Sequence, residues 1–338
     1  SAIGTGTDVA IESSDITLRV SSRDTDRLLT SLVSFSFGSG AGAGAFYGYV
    51  YGVSKGQKYG TDTLVTINCV GVSKETKSLS VPRVYNQVIA DQVAKSEASS
   101  SGMAYFTSNP SDFKVDRLIT SGYSSWVVIT TACALKGNFV SPIGGTIYSF
   151  NVRSLLDSLI INRFLSKSAK YGDGSVGTIL DFDAGISEAS DSGPVSYGYF
   201  NANNEAVITT VGGNGEYRDS DWVTSLFVAD YRSVGRDSWV RSWSHSATAR
   251  IEGEGSIYPG SVVSVSTGAS HTVSDVWDGP WVVTAVKHEL SSGSFQTQLS
   301  VVRDKPRKVP YGLAPHTDIF TAVRGGMVEL VGDKWSSR

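Results

Sequence analysis

Alternating apolar and polar residues are the dominant pattern of this chain, and they predict a β-rich fold. The clearest example is a pair of alternating runs at residues 281–290 and 295–302, which flank the turn-forming sequence Ser-Ser-Gly-Ser and predict a β-hairpin. His288 lies near the turn on the first of these strands. Further strands are predicted near the amino terminus, at residues 15–20, 32–37, 46–53 and 64–72.

The apolar spacing becomes helical in the middle of the chain. Pro82 suits the first turn of a helix, and apolar residues follow it at helical intervals as far as Val93. Residues 126–131 fit either a strand, because they are rich in β-branched residues, or a helix with Trp126 on its apolar face. Further helices are predicted at residues 153–170, 221–232 and 237–250. This order of elements favours an α+β chain over an alternating parallel-sheet fold.

Composition narrows the class of protein. A chain of 338 residues exceeds one ordinary core, so more than one domain is expected. The net charge of −3 disfavours the broad basic surface that nucleic-acid recognition needs. Cys69 and Cys133 lie in apolar stretches and are predicted to be buried thiols. The sequence contains no apolar run of 18 residues and no signal-peptide pattern.

Candidate chemistry is sparse. The acidic stretch with Asp181, Asp183, Glu188 and Asp191 offers carboxylates that could act as a glycan-hydrolysing pair, but a solvated loop is the favoured interpretation. His288 is interpreted as a half-buried histidine bonded to a backbone carbonyl near the turn, since no two histidines have zinc-site spacing. We therefore expect no catalytic, metal or cofactor site. Five tryptophans lie in the last third of the chain, and we expect them in a core or a subunit interface and not in a sugar-binding site: Trp222, Trp239, Trp243, Trp277 and Trp281.

Three stretches carry a resemblance to a known family. Residues 121–150 combine Ser-Gly, a helix-opening Ser, Trp126, a small-residue segment ending in Gly, and a Gly-turn strand. Residues 253–265 contain Pro259 and Gly260 followed by apolar strand residues. In the hairpin, the matching positions are Trp281, Val282, Val286, His288, Phe295, Thr297, Leu299 and Arg303. Together these stretches resemble the hub family of phage tail baseplates, whose fold is shared with the amino-terminal part of type VI secretion spikes. The resemblance favours the helical choice at Trp126.

The fold that this resemblance implies is α+β and β-rich, with two β-barrel domains and an inserted α/β region. Trp281, Val283, Phe295, Thr297 and Leu299 are then barrel-strand residues. The domains would be a first barrel at 1–80, an α/β domain at 81–152, a connecting region with helices at 153–255, second-barrel strands at 256–303, and an extended tail at 304–338.

The function that the resemblance implies is that of a virion structural protein. Three copies would form a ring at the tail tip or baseplate, adapting the tail tube to a threefold tip around the channel for the tape measure protein and DNA. Partners would be the tail tube or distal tail protein, the tape measure protein and a tip spike or fibre protein, after assembly in the host cytoplasm. Arg303, Lys305, Arg307 and Lys308 form a basic cluster that suits a solvated linker, or contact with a partner or passing DNA. The alternatives are a receptor- or glycan-binding tail-tip protein and a cell-wall hydrolase.

Overall fold

A computed structural model describes the chain in segments separated by gaps. The described residues are 13–21, 29–37, 44–59, 62–77, 81–110, 113–158, 160–167, 176–186, 195–200, 203–211, 217–219, 235, 241–266, 277–291, 294–305, 328–331 and 334–337.

The amino-terminal part of the chain forms an antiparallel four-stranded sheet, which we call the amino-terminal sheet. Its strands are β1 (Ser13–Ser21), β2 (Leu32–Phe37), β3 (Gly44–Tyr59) and β4 (Asp62–Gly71), in the order β1-β4-β3-β2. Alternate residues of β3 and β4, among them Phe46, Val50 and Val65, are buried on one face. The predicted strands are confirmed here, but over the described residues they form an open sheet and not a closed barrel.

A short 3₁₀ helix (Val72–Lys77) leads from β4 into an α/β domain. Two helices, α1 (Ala90–Ser100) and α2 (Ser125–Ala134), pack together over one apolar core that includes Trp126. The strands of this domain are β5 (Val84–Ile89) paired with β7 (Lys114–Ile119), and β6 (Ala104–Thr107), β9 (Thr146–Phe150) and β8 (Phe139–Ile143), which form a second small sheet.

Of the two helices that the sequence predicts in this domain, one is confirmed and the other is wrong over its first part. The helix at Trp126 is confirmed, and it begins where the Ser124 hydroxyl accepts the backbone N–H of Val127 at 3.3 Å. The helix predicted to start at Pro82 is wrong over its first part, because Val84–Ile89 is the strand β5. Pairing with β7 there outweighs the local helical spacing.

The carboxy-terminal half of the chain builds a closed barrel of the order β10-β11-β15-β18-β17-β16. Parallel pairing of β10 with both β11 and β16 closes the barrel. Its strands are β10 (Arg163–Ser166), β11 (Val176–Ile186), β15 (His245–Glu252), β16 (Val262–Ser266), β17 (Gly279–Ser291) and β18 (Ser294–Arg303). The barrel therefore takes strands from residues 163–186 and 245–252, which lie inside the predicted helical connection at 153–255.

Two of the predicted helices in this half are accordingly wrong over part of their length. Within residues 153–170, the helix α3 (Val152–Ser158) covers the first residues, and the strand β10 follows it. Residues 245–250 of the predicted helix 237–250 belong to β15, which pairs with β11 on one side and β18 on the other. The predicted helix at 221–232 lies outside the described residues.

The remaining strands form two small sheets. Strands β12 (Val195–Phe200), β13 (Ala206–Val211) and β14 (Tyr217–Asp219) make one sheet, and β19 (Val328–Val331) and β20 (Lys334–Ser337) make a hairpin in the predicted extended tail. The α+β, β-rich fold class is confirmed.

Candidate assembly surfaces around the barrel

A β-bulge in β17 decides which of its side chains face the barrel interior. The register of β17 against β18 shifts between Val283 and Ala285, so Thr284 is the extra residue. Trp281 and Val283 face the interior before the bulge, and Val286 packs against the same core after it. The bulge thus keeps apolar residues inside although their spacing changes from odd to even positions.

The bulge also corrects the predicted strand face of His288. Alternation alone placed Val282 on the same face as Val286 and His288. Val282 instead packs outside the barrel in a cluster with Leu156 of α3. His288 lies opposite Thr297 of β18, which is fully buried.

Among the residues that the structure describes, Trp281 has the largest fully buried side chain, and it lies inside the barrel. Its indole N–H donates a hydrogen bond to the backbone carbonyl of Trp277 at 3.0 Å. The ring of Phe182 meets it edge-on, with 5.9 Å between ring centres. The guanidinium carbon of Arg303 lies 3.9 Å from the centre of the Trp281 ring, close enough for a cation–π contact.

The sequence suggested that Arg303 belongs to a solvent-facing basic cluster, and the structure shows that it does not. It is fully buried, and one guanidinium nitrogen donates a hydrogen bond to the backbone carbonyl of Asp278 at 3.0 Å. Burial lowers the pKa of Arg303 to about 10. Among the other members of the predicted cluster, Lys305 is exposed, and Arg307 and Lys308 lie outside the described residues.

The amino-terminal sheet contacts the barrel near the turn of the β17–β18 hairpin. The ring of Phe37, at the end of β2, lies 4.8 Å from that of His288 and 6.2 Å from that of Phe295, measured between centres. A Cβ atom added to Gly44 would lie only 2.6 Å from the backbone oxygen of Gly255, so this close approach requires glycine. We call this contact, formed by Phe37, Gly44, Gly255, His288 and Phe295, the sheet–barrel joint.

His288 makes a side-chain hydrogen bond within this joint. Its Nδ1 lies 3.0 Å from the hydroxyl oxygen of Thr297, so the predicted backbone carbonyl partner is wrong. Thr297 in turn accepts the backbone N–H of Glu254 at 3.0 Å and donates to the carbonyl of Glu254 at 3.3 Å. Burial lowers the pKa of His288 to about 4, with the nearby Glu254 carboxylate acting in the opposite direction. The imidazole is therefore neutral at pH 7.

Pro259 and Gly260 form the turn that leads into β16. The backbone N–H of Ser261 bonds to the carbonyl of Tyr258 at 3.0 Å, and Gly260 has a φ of +90°. Proline followed by glycine at positive φ is the arrangement that a type II turn requires. The N–H of Gly260 then donates to the carbonyl of Val283 at 2.8 Å, which attaches the turn to β17.

The two acidic candidates that the structure describes lie in a strand and not in the predicted loop. Asp181 and Asp183 are exposed on β11, where they lie beside Arg250 and Thr248 of β15. Glu188 and Asp191 lie outside the described residues, as do Trp222 and Trp239. Of the remaining candidate tryptophans, Trp281 is buried, and Trp243 and Trp277 are partly buried.

A buried polar network in the α/β domain has no counterpart in the sequence patterns. The Lys136 ammonium lies 2.7 Å from one Asp91 carboxylate oxygen and donates to the carbonyl of Asn109 at 2.8 Å. Tyr105 donates to Asp91 at 2.8 Å, and its hydroxyl lies 3.4 Å from the sulfur of Cys133. Burial raises the pKa of both Tyr105 and Cys133, so both are protonated at pH 7. This network ties α1 to the segment after α2. Sequence spacing could not reveal it, because its members are far apart in the chain.

Large apolar side chains are exposed on the outer face of the amino-terminal sheet. Leu32 of β2 is 52% exposed, and Tyr51 of β3 is 62% exposed. Tyr47 and Leu29 are also exposed, and Lys74 lies over the neighbouring Tyr49 ring at 4.4 Å. Exposed clusters of this type often mark interaction surfaces.

Within the described ranges, no group of three or more His, Cys, Asp or Glu side chains is arranged to hold a metal ion. Among the helices that the structure describes, none has the length and apolar character needed to cross a membrane. Cys69 and Cys133 are buried thiols, as the sequence predicted.

Several solved structures resemble this chain over most of its length. A tail protein from Neisseria meningitidis MC58 matches with a TM-score of 0.62 and 13% identity, over 89% of this chain and 90% of that protein. The 43 kDa tail protein of prophage MuSo2 from Shewanella oneidensis matches with a TM-score of 0.56 and 11% identity, over 88% of this chain and 91% of that protein.

A third similar structure comes from a secretion system. The E. coli c3393 protein, a component of the type VI secretion system with structural similarity to the T4 bacteriophage tail proteins gp27 and gp5, matches with a TM-score of 0.56 and 10% identity, over 90% of this chain and 72% of that protein. No protein-family model and no curated protein sequence matches the chain. At these identities the comparisons establish the fold. This chain has the fold of phage tail proteins and of a type VI secretion component, which confirms the resemblance found in its sequence.

Proposed function

We propose that this chain is a structural protein of a phage tail, and more specifically the hub of the tail tip or baseplate. Three copies would form a ring that adapts the tail tube to a threefold tip and surrounds the channel for the tape measure protein and DNA. In this proposal the protein works by shape and catalyses no reaction.

The extent of the structural likeness carries the proposal. Two tail proteins align with about nine-tenths of this chain and with about nine-tenths of their own length. A shared barrel alone would support little, because barrels occur in many unrelated proteins. A match that covers the amino-terminal sheet, the α/β domain and the barrel together supports a shared architectural role.

The barrel surface fits such a role. Asp183, Thr248, Arg250 and Gln298 are exposed on its outer wall, formed by β11, β15 and β18. The part of the wall that these four residues form is polar and carries both signs of charge, which suits a water-filled passage, and we infer that it faces the channel. Lys305 follows directly after β18 and would contact a partner or passing DNA without sequence preference.

The exposed apolar face of the amino-terminal sheet fits contact with other tail proteins. Its accessible tyrosine and leucine side chains would be covered in the assembled tail by a neighbouring copy, the tail tube or distal tail protein, or a spike or fibre protein. Burying such a surface favours association, since apolar area removed from water contributes on the order of 25 cal/mol per Å².

Native mass spectrometry of the purified chain tests the proposal. We expect a trimer at micromolar concentration, or a trimer on addition of the tail partners. A strictly monomeric species under both conditions would contradict the ring. Binding in a host polysaccharide array would instead favour the receptor-binding alternative.

A further inference from the structure

The sheet–barrel joint has a titratable group at its centre. Phe37 supplies aromatic contacts that join the amino-terminal sheet to the barrel, and its ring lies against His288 and Phe295. The sheet is also attached through the 3₁₀ helix Val72–Lys77, which continues from β4. These two supports are at different places, so the sheet can lose the joint and stay attached at the 3₁₀ helix.

The surroundings of His288 favour a neutral ring. One ring nitrogen, Nδ1, meets the Thr297 hydroxyl, and the described residues give the other nitrogen no hydrogen-bond partner. A second proton would therefore place a charge in a half-buried position between the sheet and the barrel, where no hydrogen-bond acceptor among the described residues meets the second ring nitrogen. Burial of an unpaired charge is unfavourable.

Among the described residues, the charged groups around the joint do not fully compensate for such a charge. The Glu254 carboxylate favours a protonated imidazole, but burial of the ring has the larger effect, and the carboxylate is also bound to Arg163 at 2.6 Å. Lys287 and Glu289 flank His288 on the opposite face of β17 and pair with each other. Strands β2 and β18 bring three side chains against the ring that do not titrate, Phe37, Phe295 and Thr297.

We propose that the sheet–barrel joint is an acid-sensitive latch. Protonation of His288 expels the Phe37 ring from its contact with the barrel, and the amino-terminal sheet separates from the barrel while the barrel itself stays folded. This inference rests on the geometry of one chain and is independent of the proposed place of the protein in a tail.

The pH range follows from the direction of the pKa shift. The pKa of His288 is lowered in the closed joint from an ordinary value of 6.5 to about 4, so the open form binds a proton more readily than the closed form. The latch is therefore fully effective above pH 6.5 and weakens as the pH falls towards 4. By linkage, the opening equilibrium constant rises about 30-fold between pH 7.5 and pH 5.

Hydroxyl-radical footprinting with mass spectrometry tests this proposal on the intact protein. Oxidation of Phe37 and Phe295 reports opening of the joint, and oxidation of Trp281 reports unfolding of the barrel. As the pH is lowered from 7.5 to 4.5, we expect oxidation of both phenylalanines to increase while Trp281 remains protected. Phe37→Ala should expose Phe295 already at pH 7.5.

A substitution separates His288 from other titrating groups. His288→Gln keeps a hydrogen-bonding side chain that does not titrate, and should remove the pH response of Phe37 and Phe295. The matched control is His245→Gln in β15, which should retain the response. The proposal is overturned if both phenylalanines stay protected down to pH 4.5, if Trp281 becomes exposed together with them, or if His288→Gln leaves the response unchanged.

Discussion

Trp281 provides the sharpest test of the barrel interior. Its side chain is fully buried, donates a hydrogen bond to the Trp277 carbonyl, and lies under the guanidinium of Arg303. Removing it by Trp281→Ala would leave a large cavity at the end of β17 where the strand meets β16 and β18. Arg303 would lose the ring against which it packs.

The expected destabilisation can be worked from these contacts. A buried Trp→Ala change costs about 3–5 kcal/mol through lost burial and the cavity. The cation–π contact adds about 1 kcal/mol, and the hydrogen bond to Trp277 about another 1 kcal/mol. Because these contributions overlap, we expect Trp281→Ala to lower the free energy of unfolding of the barrel by about 5 kcal/mol. Trp281→Phe keeps a ring and loses the N–H, so about 1–2 kcal/mol is expected.

Chemical denaturation followed by circular dichroism measures both changes. Lys287→Ala is the matched control, since this side chain lies on the same strand but is exposed and should change the stability by less than about 0.5 kcal/mol. The reasoning is refuted if Trp281→Ala is no more destabilising than Lys287→Ala, because the tryptophan would then not lie in a packed interior.

Further predictions concern the α/β domain and the acidic residues. Lys136→Met leaves Asp91 without its buried cation and should lower the free energy of unfolding by about 3 kcal/mol in a denaturation experiment. Adding Asp91→Leu should recover part of this loss, and equal losses in the single and double variants would contradict a coupled pair. Ser124→Ala removes the side-chain cap of α2 and should lower the free energy of unfolding by about 1 kcal/mol, while Ser124→Asp should retain most of the stability. Identical melting temperatures for the alanine variant and the parent protein would refute the cap. In a cell-wall zymogram we expect no clearing by the parent protein. Clearing by the parent protein that is lost in Asp183→Asn would instead support the cell-wall hydrolase alternative.

Local patterns predicted the elements whose contacts are local. The hairpin of β17 and β18 and the strands β2, β3 and β4 follow from alternation, because each pairs with a neighbour across a short connection. The Pro259-Gly260 turn is likewise readable, since only its own residues determine the backbone geometry. The helix at Trp126 needed the family resemblance in addition, because β-branched residues left the choice open.

The wrong predictions arise where distant segments meet. The helix predicted at residues 237–250 rested on the helical spacing of Trp239, Trp243 and Ala247, yet pairing with β11 and β18 on both sides makes residues 245–250 a strand. No glycine or proline at Thr284 marks the bulge in the sequence. Because of the bulge, Val282 lies on the opposite face from the one predicted. Arg303 seemed part of a basic linker, but β18 continues through it and turns its side chain inward.

The candidate site shows the same division. The sequence singled out His288 and Thr297 but gave no indication that they would meet Phe37, which is remote in the chain. The Asp91–Lys136 pair was missed for the same reason. The trimeric ring and its position at the tail tip come from the resemblance and remain predictions.

Electron microscopy of tail particles that carry this chain with a small antibody label tests the central claim most directly. The account predicts label and threefold density at the tip of the tail tube. Label along the tube, on lateral fibres or absent from the particles would contradict it.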